Sequence, residues 1–322
     1  MDKDSPGQIE NTGRRRFLKS LLGLGGGTAS AESQVQPAQA KTVKEDKSHT
    51  GGVLFWTNLK TGNVGFPGGL QVPHERPGSI MKIITAAALL DEGLLSHQEI
   101  FDCTGSLKVA KPGEPQQTTS CPGPHGQVSL ETAIGLSCNC FFAHNSLKLS
   151  SATIIGYAAK FGLDRPAAGF APGAFPKAPK SSLVDYAIGL ACDLQPNALQ
   201  LMRLSALVAQ NGEITPFKNM MGEADPAFKL VLKDNTFHHI QKGMQLVCEK
   251  GTGKNLDPEH KLHIAAKTGT IPHGQKFRSW ITGYFPYNNP DHAFCLYAPS
   301  GRSVESAIPQ ARLQLQKFLN LN

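Results

Sequence analysis

The sequence predicts an α+β fold in which one antiparallel sheet is built from both ends of the chain, and three observations predict it. Residues 52–66 read as two short β-favouring segments around the turn former Lys60-Thr61-Gly62. A long middle region carries apolar residues at helical spacing, and strand-like segments return at 262–267, 280–285 and 293–298. Strands, then helices, then strands is the order of an α+β domain rather than of alternating βα units. Pro77-Gly78 halts the chain, and an apolar, alanine-rich run from Ser79 to Leu90 stops at Gly93, which predicts a buried helix with Ser79 at its start. Further helices are expected at 130–134, 140–149, 152–161, 198–210 and 237–248, with a closing helix near 309–319. The Pro-, Gly- and Ala-rich stretch 162–182 is expected as an ordered surface loop.

With 322 residues the chain can hold one large two-lobed domain plus a leader, and an apolar fraction of 40% allows a real core. The charge is +7, from 32 basic and 25 acidic residues spread without a long basic run. That is a mild bias towards anionic surfaces. No zinc-finger spacing or aromatic-basic motif favours nucleic acid.

The leader is more informative. Gly13-Arg14-Arg15-Arg16-Phe17-Leu18-Lys19 precedes a short apolar, glycine-rich stretch at 21–27 and resembles a twin-arginine export signal. The apolar stretch is shorter than the ~20 residues needed to span a bilayer. The expected organisation is an export signal over 1–40, a polar linker over 41–50 and a folded domain over 51–322, placed in the periplasm or extracytoplasmic space with no stable membrane span after signal cleavage.

Three polar clusters carry the chemistry. Ser79 and Lys82, three apart at a helix start, face the same side, so the lysine amine can lie near the hydroxyl as base beside nucleophile. Apolar neighbours favour the uncharged amine, and the helix N-terminus offers N–H groups to a developing oxyanion. Alone, the pair reads more readily as a capping serine and a surface lysine. Ser137-Cys138-Asn139, between two expected helices, adds a hydroxyl that could relay protons and an amide that could hold a substrate backbone group, although helix capping by Ser137 or Asn139 would explain it equally. Lys267-Thr268-Gly269-Thr270 is expected at the end of a strand. There Lys267 could bind a substrate carboxylate or bias nearby pKa values, Thr268 add a hydroxyl and Gly269 admit a substrate backbone.

In that order the clusters resemble the transpeptidase domain of penicillin-binding proteins, whose motifs run S-x-x-K, S-x-N, K-T-G. Supporting text surrounds them. Arg76-Pro77-Gly78-Ser79-Ile80-Met81-Lys82 is similar to the family's nucleophile segment, and His125-Gly126 leading to Leu136-Ser137-Cys138-Asn139-Cys140-Phe141-Phe142 to its second motif. Gln195-Pro196-Asn197-Ala198-Leu199-Gln200-Leu201, Ala209-Gln210-Asn211-Gly212 and Gly251-Thr252-Gly253 resemble the stretch before the third. The resemblance runs from about Gly51 to the C-terminus and departs at Ala266, where many relatives have glycine.

What it implies is a β-lactamase/transpeptidase-like fold, an antiparallel sheet flanked by helices beside a helical lobe, with the site between them. Ser79 would be acylated by D-Ala-D-Ala peptidoglycan stem peptides. The N–H groups of Ser79 and Thr270 would form the oxyanion hole, and Lys82, Ser137 and Asn139 would manage protons and placement. A second peptide amine would make the enzyme a D,D-transpeptidase and water a D,D-carboxypeptidase, with β-lactams as covalent inhibitors. No cofactor is needed for acyl transfer. A β-lactamase remains the nearest alternative, and a non-catalytic β-lactam or muropeptide sensor another. No G-x-S-x-G elbow surrounds Ser79 or Ser137 to suggest a histidine-triad hydrolase.

Seven cysteines exclude complete internal pairing. Cys103 with Cys121 is the plausible bridge. Cys103, Cys121, His125 and Cys138 also form the soft ligand set that tetrahedral zinc prefers, next to the second motif. A structural zinc, a disulfide and unlinked thiols are all open at this point.

Overall fold

Val53–Asn58 (β1) and Val64–Gly65 (β2) form the amino-terminal hairpin, and Lys60-Thr61-Gly62 is its turn, with Gly62 at φ 73°. The computed structural model describes residues 51–67, 71–111, 115–233 and 235–320; the expected export signal and linker lie outside the described residues. The carboxy-terminal strands are Ala265–His273 (β7), Lys276–Phe285 (β8) and His292–Ala298 (β9). All pair antiparallel in the order β2-β1-β9-β8-β7, with Phe55 opposite Cys295, Ile281 opposite Leu296 and Thr268 opposite Ile281. Both ends of the chain therefore build one sheet, as the sequence predicts.

Strand β7 corrects the expected boundary. Lys267-Thr268-Gly269-Thr270 is not at a strand end: these residues pair with Thr282 to Ser279, and the turn comes later, at Gly274 and Gln275. β-branched Thr268, Thr270 and Ile271 suit a paired strand, which outweighs the single glycine. β8 is buried at every position from Ser279 to Phe285, so both its faces are covered. Ala198–Ala209 (α6), buried at all twelve residues, packs on β8 and β9, and Ala307–Leu315 (α8) packs on the same strands. Ser205 and Thr282 hydroxyls meet at 2.8 Å across the α6–sheet interface, and Thr282 Oγ1 also reaches Leu201 O and Phe294 O, so both buried hydroxyls are satisfied.

The helical lobe centres on Met81–Asp91 (α1), nine of whose eleven residues are buried, as an all-round apolar helix requires. Ser79 is not in its first turn. It lies in a 3₁₀ turn, Gly78–Ile80, that precedes the α-helix. Leu130–Gly135 (α2), Asn139–Ser146 (α3), Ser151–Lys160 (α4) and Thr236–Glu249 (α7) stand close to the expected helices. Leu183–Ile188 (α5) was not expected; it is capped by Ser182 and tied to α1 where Thr85 Oγ1 donates to Ala187 O at 2.8 Å.

Two small ribbons were also not expected. Phe101–Cys103 (β3) pairs with Gly126–Val128 (β6), and Ser106–Val109 (β4) with Gln117–Ser120 (β5). Gln-Thr-Thr-Ser shows no apolar alternation, and two-stranded ribbons are marginal without a partner surface. The 162–182 stretch is ordered from below: Gln200 Nε2 donates to Leu163 O at 2.7 Å and to Arg165 O at 3.1 Å, and the buried Arg203 guanidinium donates to Gly162 O and Asp225. Among the described residues no helix is long and apolar enough to cross a membrane.

Candidate active site

The turn that carries Ser79 is clamped from two sides. Gly78 N–H donates to Gly189 O at 3.0 Å, and Gly189, at φ 82°, has Gly78 O in the place a side chain would occupy. On the other side a Cβ on Gly269 would stand 2.6 Å from Pro77 O. Glycine at 269 thus lets the Ser79 turn lie directly on β7, beside Thr270.

The second cluster sits between α2 and α3. Ser137 takes a left-handed φ of 56°, uncommon for a non-glycine residue. Neither Ser137 nor Asn139 caps α3. That task falls to Cys138, whose sulfur accepts the Phe141 N–H at 3.4 Å, and it leaves both neighbouring side chains free to face Lys82.

Lys82 Nζ donates to Ser137 O at 2.7 Å, to Asn139 Oδ1 at 2.5 Å and to Ser137 Oγ at 3.2 Å. Asn139 Nδ2 donates to Ser120 O at 2.7 Å, which fixes the amide's orientation from β5. Lys267 Nζ donates to Ser137 Oγ at 3.0 Å and to Thr268 O at 3.1 Å. Both lysines are fully buried. Burial pushes the Lys82 amine down from 10.5 to about 8, partly offset by the nearby sulfurs of Cys138, Cys121 and Cys140. Burial, with Lys82 close by, holds Lys267 well below its usual value.

In front of these amines lies a cleft of about 480 Å³ lined by Ser79, Ser137, Asn139, Thr268 and Thr270. Gly269 lies under the turn and the two lysines behind the cleft, so all the residues singled out for acyl transfer converge. Sequence reasoning missed Ser303, whose N–H and Oγ both meet Thr270 Oγ1, and Arg302 beside it. Nothing in the local pattern of Ser300-Gly301-Arg302-Ser303 marks them; only the return of β9 to the cleft does. Thr252, from Gly251-Thr252-Gly253, meets Thr268 Oγ1 at 2.7 Å.

The candidate metal ligands assemble immediately behind Ser137. Cys103 ends β3, Cys121 follows β5, His125 precedes β6 and Cys138 caps α3, and their donor atoms lie within 4.8 Å of one another. Cys103 and Cys121 are not bonded; their sulfurs are 3.9 Å apart, Cys121 and Cys138 are 3.8 Å apart, and Cys103 Sγ is 3.5 Å from His125 Nδ1. Ligands at about 2.3 Å from a tetrahedral zinc are separated by roughly 3.8 Å, so the spacing fits that ion. Cys140, 3.6 Å from Cys121, is a fifth sulfur at the edge of the set. Hydrogen bonding with Cys138 holds the Cys121 thiol down at about 4, the direction a ligand sulfur needs, while the same contact pushes the Cys138 thiol up, and burial first pushes Cys140 up to about 12.

Residues 71–311 match the family model for the penicillin-binding protein transpeptidase domain. The chain belongs to the penicillin-binding protein transpeptidase family. Curated relatives include the peptidoglycan D,D-transpeptidase PbpA of Mycolicibacterium smegmatis, 24% identical over 255 residues that cover 72% of this chain and 51% of the relative. PbpA of Mycobacterium tuberculosis is 25% identical over 259 residues, with the same coverage. The chain spans about half the length of the curated relatives it matches. Among solved structures, Pseudomonas aeruginosa PBP2 superposes with a TM-score of 0.71 at 21% identity, over 84% of this chain and 71% of that one. The D,D-transpeptidase domain from Eggerthella lenta gives 0.68 at 17% identity, over 85% and 79%. These likenesses show the transpeptidase fold.

Proposed function

We propose that this penicillin-binding transpeptidase domain acts outside the cytoplasm as a serine acyltransferase on D-Ala-D-Ala peptidoglycan stem peptides. Lys82 carries the reading: a fully buried amine, depressed to about 8 and held by Ser137 and Asn139 at the nucleophile turn, is suited to take a proton. Neutral Lys82 has two N–H groups, enough for Ser137 O and Asn139 Oδ1, and turns its lone pair to the Ser137 hydroxyl at 3.2 Å, through which a proton can reach it.

Ser79 Oγ attacks the penultimate carbonyl as Lys82 takes its proton, and the N–H groups of Ser79 and Thr270 receive the oxyanion. Collapse breaks the peptide bond, and the proton passes from Lys82, directly or through Ser137, to the departing D-Ala amine. Lys267, Thr268 and Thr270 face the terminal carboxylate. The Ser79 ester is then attacked by an amine of a second stem peptide, giving a cross-link, or by water, giving a trimmed peptide. With a β-lactam the broken amide stays tethered to the acyl group, so nothing leaves and the ester persists.

A zinc ion held by Cys103, Cys121, His125 and Cys138 would supply structural bracing only. Cys138 stands between Ser137 and Asn139, so fixing its sulfur fixes the turn that holds Lys82. The twin-arginine-like leader at Arg14-Arg15-Arg16 suits export of a folded protein into the periplasm with its metal already bound.

The test is labelling with a fluorescent penicillin, followed by intact mass and decay, beside Ser79→Ala. A Ser79-dependent adduct lasting hours supports the reading. Rapid loss with turnover makes the protein a β-lactamase, and no adduct makes it non-catalytic.

A further inference from the structure

The cleft has one charged side chain on its lining, and it belongs to none of the three motifs. Arg302 follows β9, next to Ser303, which is bonded to Thr270 Oγ1 through both its N–H and its hydroxyl. Its guanidinium lies 3.7 Å from the centre of the Phe277 ring, a stacked cation–π contact that holds an exposed side chain in place. Phe277 is paired with Pro272 across the β7–β8 hairpin. Arg302 therefore stands over the far end of β7, past Thr270.

No carboxylate lines the cleft. Among the described residues no acidic side chain lies within 4 Å of the Arg302 guanidinium; Glu305 instead accepts the Arg302 backbone N–H at 3.1 Å. Two other cations at this end are engaged: Arg278 donates to Glu75 at 2.6 Å, and Arg76 lies beside the same carboxylate and donates to Pro272 O, while Lys276, at the hairpin end opposite His273, does not line the cleft. A fixed, unpaired guanidinium at the mouth of an acid-free cleft is a receptor for an anion.

β7 is the outer strand of the sheet, so a peptide can add to it as an antiparallel strand. With the scissile carbonyl at Ser79 and Thr270, the terminal residue runs towards Thr268. The residues before the acyl group run towards Ile271, Pro272 and Phe277. At ~3.3 Å per residue, Pro272 lies about 7 Å beyond Thr270, within reach of the side chain one residue before D-Ala-D-Ala.

We propose that Arg302 is a specificity-determining residue that binds a second carboxylate of the acyl donor, carried by the side chain of the residue preceding D-Ala-D-Ala. The proposal rests on the acyl-transfer reading of the Ser79 site. It makes the preferred donor an acidic stem peptide.

Two peptide donors test it, each ending in D-Ala followed by D-thiolactate in place of the last D-Ala, so that acylation of Ser79 breaks the C–S bond and releases a countable thiol. They differ only in whether the preceding side chain ends in a carboxylate or its carboxamide. The protein is expected to favour the carboxylate donor by about 10- to 100-fold in kcat/KM, as a charge-assisted contact gives. Arg302→Ala should collapse that ratio towards one, and Arg302→Lys should keep part of it. An equal rate for the two donors, or an unchanged ratio in Arg302→Ala, overturns the proposal. So does a fall in penicillin acylation of Arg302→Ala as large as the fall with the carboxylate donor, because penicillin carries only the counterpart of the terminal carboxylate. If penicillin fails to label Ser79 in the unaltered protein, the acyl-transfer reading itself falls.

Discussion

Lys82 and Lys267 both reach the hydroxyl oxygen of Ser137, at 3.2 and 3.0 Å, so one neutral group stands between two buried amines. Their nitrogens are therefore no more than roughly 6 Å apart, where two ammonium charges at an effective dielectric of ~20 repel by about 3 kcal/mol. Each amine has also lost its water. Both effects disfavour two ammonium charges together, so that one amine can be neutral and suited to act as a base without a neighbouring histidine or carboxylate.

The pH dependence follows from that arrangement. Lys82 is lowered to about 8, so below that pH it is charged and cannot take the Ser79 proton. The second-order rate of penicillin acylation should rise as pH increases through about 8 and level off above it. Lys82→Ala should lose on the order of 10²- to 10⁴-fold in that rate. A rate that stays flat or falls through this range would remove Lys82 as the base.

Burial is the first cause of the lowered Lys82 value, and Phe142, fully buried with its ring centre 5.8 Å from the amine, is part of that burial. Phe142→Ala should open a cavity, cost about 3–5 kcal/mol of stability and let water reach the ammonium. The midpoint of the acylation profile should then move upward, towards 10.5. Unfolding measurements give the stability cost, and an unmoved midpoint would mean that desolvation does not set this base.

Much of this was legible because chemistry-bearing residues sit close together in sequence. Ser79 and Lys82 share one helix entrance, Ser137 and Asn139 flank one cysteine, and Lys267 to Thr270 are consecutive. Three local patterns in family order thus marked a site that only the fold assembles. The strand pair at the amino-terminal end and the three strands at the carboxy-terminal end were visible from β-branched and aromatic runs, and α1 from its unbroken apolar length. What stayed hidden depended on long-range contact. The β4–β5 ribbon carries Ser120, whose carbonyl orients Asn139, yet its polar strands resemble a loop. Cys138 as the cap of α3 could not be foreseen either, since a weak acceptor was chosen over two better ones that the site needs elsewhere. Arg302 sits in a turn whose importance comes from Phe277, 25 positions earlier in the chain.

The contact between Gly189 and the Ser79 turn predicts a mutation outside the three polar clusters. Gly189→Ala places a methyl on Gly78 O and requires a left-handed φ of 82° from an L-residue. The expected cost is about 1–3 kcal/mol or more in stability. Because the same displacement pushes Ser79 off β7, penicillin acylation should fall even where the protein remains folded. Circular dichroism melting together with adduct formation separates the two effects. A folded variant with full acylation would show that the clamp does not position Ser79.

The cysteine cluster makes the last prediction, and its geometry limits what removal can do. The ligand atoms of Cys103, Cys121, His125 and Cys138 have the spacing of a zinc tetrahedron, yet only Cys138 is next to residues of the candidate site. Protein prepared without chelator should carry about one zinc per chain. Cys103→Ser, on β3 and outside the cleft lining, should lose the metal at a cost of about 2–4 kcal/mol, a fall in melting temperature on the order of 5–10 °C. Acylation should fall with it, because a loosened Cys138 no longer fixes the Ser137 carbonyl and Asn139 amide that hold Lys82. Metal analysis, melting and penicillin labelling on the same preparation decide the matter. Absence of zinc from the unaltered protein would leave the cluster as reduced thiols, and metal loss without any change in acylation would mean that the turn around Ser137 is held by packing alone.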